Sequence, residues 1–196
     1  MHSIYNRNEL SKSDNLDNYY YFDEIFSEEE INKILNIAEQ IPQQQGIISD
    51  NTIDTSYRTS TIKWLSLNSD TKWLYDKLAL LARTANKNTW NFNLIGFGEN
   101  IQIAEYNSDT KGHYDWHMDL GENSSFRKLS ISVQLSDPSE YDGGELHFLT
   151  GRNSKKAPLK KGTAILFPSY LLHKVTPTTR GVRKSLVVWI SGQPFK

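Results

Sequence analysis

Residues 114–119, which read YDWHMD, decide how this chain folds and what it can bind. If the run is extended, His117 and Asp119 point to the same side of a strand, because side chains alternate faces with a period of two. One imidazole and one carboxylate then converge on a single point. Two histidines and one carboxylate are the set that holds iron(II) while leaving coordination positions open, so a second histidine would complete such a site.

His173 is the candidate for that second histidine. It follows a run of apolar residues at 164–168, AILFP, which predicts a buried strand, and the turn after this run would deliver His173 onto the next short strand. The alternative is a core histidine that hydrogen-bonds to the backbone. A second His-x-Asp pair, His113 and Asp115, has the same parity as His117 and Asp119, so the spacing alone allows either pair to hold the metal.

An arginine ten residues beyond His173 adds an anion-binding element. Arg183 and Ser185 share one face of the last predicted strand, while Leu186 and Val188 take the other face. A guanidinium on the inward face of an apolar strand is costly unless a charged partner meets it, and its planar fork suits a carboxylate. That carboxylate could belong to a ligand or to one of the protein's own acids.

Composition narrows the class of protein. A chain of 196 residues with 37% hydrophobic and 23% charged residues fits one folded domain. The net charge of -1 gives no field that would attract nucleic acid or an anionic membrane. Because there is no cysteine, any metal must be held by His, Asp or Glu. No apolar run could span a bilayer, and residues 1–20 lack the apolar core of a signal peptide, so we expect a cytoplasmic protein without a membrane partner.

The order of patterns predicts a helix-rich part over about residues 1–89 and a β-core over about residues 90–196, within a single domain. After a polar lead-in at 2–17, the patterns before residue 90 predict an edge strand at 19–22, a helix from a capping box at Ser27 to Ile41, a strand at 58–65 and a helix at 70–86. Six short alternating runs follow, at 90–95, 101–106, 130–135, 145–149, 163–167 and 185–190. Short strands separated by glycine turns favour a sandwich or jelly roll, with the helices packed outside.

Four motifs follow one another in order through the β-core: Y-x-W-H-x-D, G-G-E-L, F-P-x-x-x-x-H-x-V-x-P and R-G-x-R-x-S-x-x-x-W-I. Over about residues 90–192 this series resembles the iron(II)- and 2-oxoglutarate-dependent oxygenases, specifically the PKHD-type branch of the prolyl 4-hydroxylase superfamily. The resemblance implies an α+β, mainly β fold whose core is a double-stranded β-helix, or jelly roll.

The resemblance also implies a role for each residue that matches the family's motifs. Fe(II) would be bound by His117, Asp119 and His173, and 2-oxoglutarate by Arg183, Ser185 and Tyr106, with Arg183 on its distal carboxylate. Trp116 stands directly before the ligand histidine, as in the relatives, which favours His117 and Asp119 over the other His-x-Asp pair. The segment 107–116 is about two residues longer than usual in the family.

The activity implied is hydroxylation coupled to oxidative decarboxylation. The cofactors and cosubstrates would be Fe(II), 2-oxoglutarate and O2, with ascorbate as reductant, and the products succinate and CO2. The expected substrate is an amino-acid residue, with proline in a peptide or protein as the first choice. Two alternatives stay open: a nucleic-acid oxidative demethylase of the same fold, which the charge balance disfavours, and a metal-binding jelly roll without catalysis.

Residues that would line the mouth of the site are harder to predict. Arg58, Tyr114 and Trp116 are the candidates for substrate contacts, and the alternative for each is packing between the helical layer and the β-core. For Trp64 on the same early strand, packing is the favoured interpretation. The segment 43–56 is long, polar and without pattern, which makes it a candidate lid.

Overall fold

The computed structural model describes residues 19–46, 54–121 and 124–193, and within them the fold is mainly β, with two α-helices. In chain order the elements are β1 (Tyr20–Phe22), α1 (Glu28–Glu39), β2 (Gln44–Gln45), β3 (Arg58–Thr59), β4 (Thr61–Leu65), α2 (Lys72–Asn88), β5 (Leu94–Phe97), β6 (Ile101–Asn107), β7 (His113–His117), β8 (Arg127–Gln134), β9 (Asp142–Gly143), β10 (Leu146–Leu149), β11 (Ser154–Lys156), β12 (Ala164–Pro168), β13 (His173–Val175), β14 (Thr178–Arg180) and β15 (Val182–Gly192).

Two antiparallel sheets form a jelly roll. The larger has the order β1-β12-β8-β15-β6-β4-β2, with β5 also paired to β15. The smaller has the order β11-β10-β13-β7-β3, and β14 pairs with β9 in a separate two-stranded ribbon. Strands distant in sequence are therefore neighbours in space, which brings the segments around residues 117, 173 and 183 into one region.

The helices begin and end where local chemistry dictates. Ser27 caps α1 through a capping box, since its hydroxyl accepts from the Glu30 N–H while the Glu30 carboxylate accepts from the Ser27 N–H. The predicted start of this helix is thus confirmed, and it ends before Pro42 as expected. The second helix begins and ends two residues later than the predicted 70–86.

One face of the large sheet packs in a single apolar cluster with both helices. The strand residues in this cluster include alternate positions of β15 and β8, Leu186, Val188, Leu129 and Ile131, and they meet helix residues such as Leu78. The opposite face of the same strands carries serines, glutamines and Arg183, and it looks toward the smaller sheet. The strands thus separate an apolar, helix-covered layer from a polar interior.

Strands from before residue 90 are part of both sheets. The predicted strand 58–65 is interrupted at Ser60, so that β3 pairs with β7 in the smaller sheet while β4 pairs with β6 in the larger one. The predicted edge strand 19–22 is found as β1, on β12. The prediction of a strand at 90–95 was shifted, because the strand there is β5, at Leu94–Phe97.

Two sequence predictions fall partly or wholly outside the described residues: the lead-in 2–17, and half of the candidate lid 43–56, namely residues 47–53. Of that lid, the structure describes β2 and a turn beginning at residue 54 that leads into β3. Neither helix in the described ranges is long and apolar enough to cross a membrane.

Candidate active site

Three side chains converge at one point between the sheets. His117, Asp119 and His173 each offer a ligand atom, and these atoms all lie within 4.8 Å of one another. Asp119 Oδ2 is 3.6 Å from His173 Nε2, and Asp119 Oδ1 is 4.0 Å from His117 Nε2. In the part of the chain that the structure describes, this is the group of His, Asp and Glu side chains with spacing suited to a metal ion.

Pairing in the smaller sheet places the two histidines. His117 ends β7 and His173 begins β13, and the two residues are direct partners in the antiparallel register. Asp119 follows β7 by two residues and is buried. The two histidines are 56 positions apart in sequence and become neighbours because their strands pair.

Hydrogen bonds to the backbone fix how each imidazole presents itself. His117 Nδ1 lies 2.7 Å from the Asp115 carbonyl, and His173 Nδ1 lies 2.8 Å from the Leu171 carbonyl. A carbonyl only accepts, so each Nδ1 carries the proton and each Nε2 keeps its lone pair for the common centre. Burial lowers the pKa of His117 to about 3, which keeps this imidazole neutral, as a metal ligand must be.

The third group, Asp119, is held as an oriented carboxylate. Burial alone would raise the pKa of this carboxyl, but His173, His117 and the Ser130 hydroxyl outweigh burial and lower the pKa below its ordinary value. Ser130 Oγ donates to Asp119 Oδ2 at 2.5 Å and also lies 3.1 Å from Ser169 Oγ. The carboxylate is therefore ionised and has one oxygen tied to the neighbouring strand β8.

A β-bulge in β7 breaks the period of two on which the sequence argument rested. His173 pairs with His117, but Val175 pairs with Tyr114, so three residues of β7 oppose two of β13. Tyr114 consequently turns inward, where its ring stacks on the His117 imidazole with the centroids 3.4 Å apart. Strict alternation would have placed Tyr114 and His117 on opposite faces.

The bulge also separates the two His-x-Asp pairs. Asp115 is exposed, and its carboxylate accepts from the Trp116 N–H. His113 Nδ1 lies 3.0 Å from the Lys111 carbonyl and its Nε2 lies 3.1 Å from the Ser56 carbonyl, so both ring nitrogens are engaged by the backbone. The prediction that His113 and Asp115 are not ligands fits this placement.

Arg183 occupies the inner end of the same region. Its side chain is 1% exposed, its Nη2 donates to Gln134 Oε1 at 2.9 Å, and its Nη1 lies 3.4 Å from Ser185 Oγ. Its Nε has no hydrogen-bond partner, and no carboxylate of the described residues lies within 4 Å of the guanidinium. The centre of the Tyr106 ring is 5.5 Å from the guanidinium carbon. A buried cation that has no protein counter-ion favours the binding of an anionic ligand.

A single cavity of about 470 Å³ contains both the triad and the arginine. Its walls include residues from both sheets, among them His117, Asp119, His173, Arg183, Ser185 and Tyr106. A cavity of this volume is of the size that takes small ligands. The six residues predicted for metal and cosubstrate therefore share one space.

Of the three predicted substrate residues, two line this cavity. Arg58 lies over the Tyr114 ring with 4.6 Å between guanidinium carbon and ring centroid, and both residues border the cavity. Trp116 is not part of the lining; Lys174 Nζ lies 4.7 Å from the centre of its ring.

Four further residues that line the cavity, Trp64, Glu99, Arg127 and Trp189, were not among the predicted substrate contacts. Arg127 lies 3.8 Å from the ring centroid of Trp189 and pairs through two nitrogens with the Glu99 carboxylate. Trp64, for which packing had been favoured, also lines the cavity, with its ring centroid 6.4 Å from that of Trp189. Trp189 lies six residues beyond Arg183 in β15 and lines the same cavity.

The sequence does contain a signal for the polar interior. In β8 the polar residues Ser130, Ser132 and Gln134 alternate with apolar Leu129, Ile131 and Val133. A fully buried strand with one polar face indicates that this face lines a site. The same reasoning had been applied only to β15, so Ser130 and Gln134 were missed.

The residues present fit a metal and a keto acid. Two imidazoles and one carboxylate are a ligand set suited to iron(II), with positions left open for substrates. The unpaired guanidinium in the same cavity suits the far carboxylate of a short dicarboxylic acid.

Known proteins resemble this chain over its second half. A protein-family model, the 2OG-Fe(II) oxygenase superfamily, matches residues 101–191. A PKHD-type hydroxylase of Synechococcus sp. (strain CC9902) is 43% identical over 101 residues, which cover 51% of this chain and 45% of that protein. A PKHD-type hydroxylase of Teredinibacter turnerae is 40% identical over 85 residues, 40% of this chain and 38% of that protein. The matched segments thus span less than half the length of either relative.

Solved structures share the fold at low sequence identity. A Trichoplax adhaerens prolyl hydroxylase, in complex with a peptide fragment of the hypoxia inducible factor oxygen degradation domain, has a TM-score of 0.76 at 16% identity and covers 94% of this chain and 86% of that one. A Pseudomonas putida prolyl-4-hydroxylase has a TM-score of 0.71 at 18% identity and covers 88% and 92%. In sequence this chain is similar to the 2OG-Fe(II) oxygenase superfamily over residues 101–191 and to PKHD-type hydroxylases over 40–51% of its length, and its fold is shared with solved prolyl hydroxylases.

Proposed function

We propose that this protein is an Fe(II)- and 2-oxoglutarate-dependent dioxygenase that hydroxylates an amino-acid residue, proline in a peptide or protein. In the overall reaction, substrate C–H, 2-oxoglutarate and O2 become substrate C–OH, succinate and CO2. The observation that carries the proposal is that the triad and the unneutralised Arg183 share one cavity. A metal-binding module without catalysis would have no use for a buried guanidinium lacking a protein carboxylate.

The residues divide into those that hold the metal and those that hold the cosubstrate. His117 and His173 each contact a backbone carbonyl through Nδ1 and present Nε2 to the common centre, and Asp119 presents a carboxylate oriented by Ser130. Arg183 would bind the distal carboxylate of 2-oxoglutarate. Iron with its bound keto acid supplies the oxygen activation that hydroxylation needs.

Ser185 and Tyr106 would also contact 2-oxoglutarate, beside Arg183. Ser185 lies two residues beyond Arg183 on the same face of β15, and Tyr106 pairs with Arg183 across β6 and β15. Both residues are buried, so they exclude water from the carboxylate as well as contact it.

The choice of proline rests on the aromatic wall of the cavity. Trp64 and Trp189 offer flat apolar surfaces suited to a compact, uncharged ring. The charge of Arg127 beside Trp189 is already neutralised by Glu99. Two neighbours in fold are described as prolyl hydroxylases, and one of them is in complex with a peptide.

Turnover assays test the proposal directly. Purified protein with Fe(II), ascorbate and 2-oxoglutarate labelled at C1 should release labelled CO2, and proline-containing peptides should accelerate the release and gain the mass of one oxygen atom. The matched peptides carry alanine in place of proline and should do neither. Metal binding without any binding of 2-oxoglutarate would contradict the enzymatic role. Oxygen gained equally by both peptide sets would contradict the choice of proline.

Ser130→Ala should weaken metal binding, because it frees the Asp119 carboxylate to rotate. Residues that hold a metal ligand typically contribute about 10- to 100-fold to metal affinity, and we expect a loss in that range. Titration with Mn(II), followed by electron paramagnetic resonance, gives the dissociation constant without turnover.

Ser132→Ala is the matched control for this prediction. Ser132 lies two residues further along β8, is buried and lines the same cavity, but donates no hydrogen bond to Asp119 among the described contacts. Its substitution should change Mn(II) affinity by less than about threefold. Equal losses in both variants would show that the effect comes from the strand and not from the hydrogen bond.

A further inference from the structure

Beside Arg183 lies a buried glutamine, Gln134, whose side-chain hydrogen bonds among the described residues go to Arg183 and to a backbone carbonyl. We infer that Gln134 positions Arg183 for the cosubstrate, because its neutral amide fixes the guanidinium without neutralising it. The inference rests on the proposed function, since it concerns how the same site keeps a charge available for a dicarboxylate.

The orientation of Gln134 is determined by its surroundings. Gln134 ends β8, is 1% exposed and pairs directly with Ser185 on β15, two residues from Arg183. Its Nε2 donates to the Pro158 carbonyl at 2.9 Å, which leaves Oε1 to accept from Arg183 Nη2 at 2.9 Å. Because a carbonyl cannot donate, the amide can satisfy both contacts in one orientation only.

Gly144 confines the side chain of Arg183 from a second side. A Cβ at Gly144 would lie 3.0 Å from Arg183 Cδ and 2.9 Å from the Thr178 hydroxyl oxygen. Gly144 also has a φ of +58°, a conformation that favours glycine. The side chain therefore passes closely over bare backbone before Gln134 holds its end.

A second arginine in the same cavity shows what a carboxylate would do instead. Arg127 donates two hydrogen bonds to the Glu99 carboxylate and is thereby neutralised. Arg183 instead donates from Nη2 to the amide oxygen of Gln134 at 2.9 Å, which leaves its charge in place. Glutamine and glutamate have nearly the same shape, so the identity of residue 134 decides whether Arg183 is available to an external anion. An internal carboxylate would occupy the guanidinium before 2-oxoglutarate could bind.

Gln134→Glu tests this with two measurements, the affinity for 2-oxoglutarate and the thermal stability of the ligand-free protein. Calorimetric titration of 2-oxoglutarate into the Mn(II)-loaded protein should give a Kd raised by about 30-fold or more, the loss expected when a buried charge pair is disrupted. In the absence of 2-oxoglutarate, Tm should change little, because the new ion pair with Arg183 offsets the loss of the hydrogen bond that Gln134 Nε2 donates to the Pro158 carbonyl. Damage to packing alone would lower both affinity and Tm.

Gln102→Glu is the matched control. Gln102 is also buried in the cavity wall, and its Oε1 accepts from Arg58 Nη2 at 3.0 Å. It pairs with Val187, four residues along β15 from Arg183, which corresponds to about 13 Å. The new carboxylate would pair with the Arg58 guanidinium at this distance from Arg183, so it should change the Kd for 2-oxoglutarate by less than about threefold.

The outcomes separate the inference from the proposed function. If the wild-type protein with Mn(II) does not bind 2-oxoglutarate, the proposed function fails and the inference falls with it. If the wild type binds and Gln134→Glu binds equally well, only the inference is overturned. Should Gln134→Glu not fold, Gln134→Met removes the acceptor while keeping the volume, and a Kd raised by about 3- to 10-fold supports the inference. An unchanged Kd in that variant overturns it.

Discussion

His117→Ala is expected to abolish metal binding and turnover, whereas His113→Ala should leave both nearly unchanged. His117 directs Nε2 at Asp119 and His173, while both ring nitrogens of His113 contact backbone carbonyls. Removing a residue that only supports a ligand typically costs about 10- to 100-fold in metal affinity, so losing a ligand should cost more than about 100-fold.

The measurement is paired for the two variants. Mn(II) titration followed by electron paramagnetic resonance gives metal affinity, and release of labelled CO2 gives turnover. Circular dichroism checks that each variant is folded, since Ala at 117 also removes the ring on which Tyr114 stacks. If His113→Ala loses the metal and His117→Ala keeps it, the assignment of the ligand pair is wrong, while the proposed enzyme class is unaffected.

The sequence was sufficient to predict the three residues of the triad but not the strand geometry that brings them together. Spacing and residue type suggested His117, Asp119 and His173, and the structure brings all three together. The alternation of side chains from which His117 and Asp119 were predicted does not hold throughout β7, because the bulge places Tyr114 on the same face as His117. A bulge depends on the register with a partner strand, which local sequence does not encode.

Local rules succeeded where the interactions are local. The start of α1 follows from a capping box within four residues, and it was predicted from Ser27 and Glu30. The division of 58–65 between two sheets was missed, because it depends on β6 and β7, which lie some 40 residues or more further along the chain. Pairing over such separations decides which face of a strand becomes the wall of a site.

The contact between Gln134 and Arg183 shows the same limit. The alternation of polar and apolar residues in β8 indicates a polar face, yet its partner lies 49 positions away on β15. Nothing in the sequence near Gln134 indicates that its amide meets a guanidinium. Arg183 itself was predicted because the residue type is costly when buried, a property that needs no knowledge of its neighbours.

Arg183→Met should remove the stabilisation that 2-oxoglutarate confers on the Mn(II)-loaded protein. A ligand at 100 times its Kd stabilises the folded state by about 2.7 kcal/mol. For a chain of this size that corresponds to a rise in Tm of roughly 5–10 °C, which scanning calorimetry resolves. Without the guanidinium the distal carboxylate would enter a buried space with no charge to meet it. We therefore expect the rise to vanish at the same 2-oxoglutarate concentration.

Arg58→Met is the matched control for this prediction. Arg58 is also a buried guanidinium in the cavity wall, and it too donates to a glutamine, Gln102. If any positive charge in the cavity served the cosubstrate, both variants would lose the thermal shift. The site assigned to Arg183 requires instead that Arg58→Met keeps the shift. As a candidate substrate contact, Arg58 should then show its effect only in peptide-stimulated turnover, so loss of the shift in both variants would contradict the assignment.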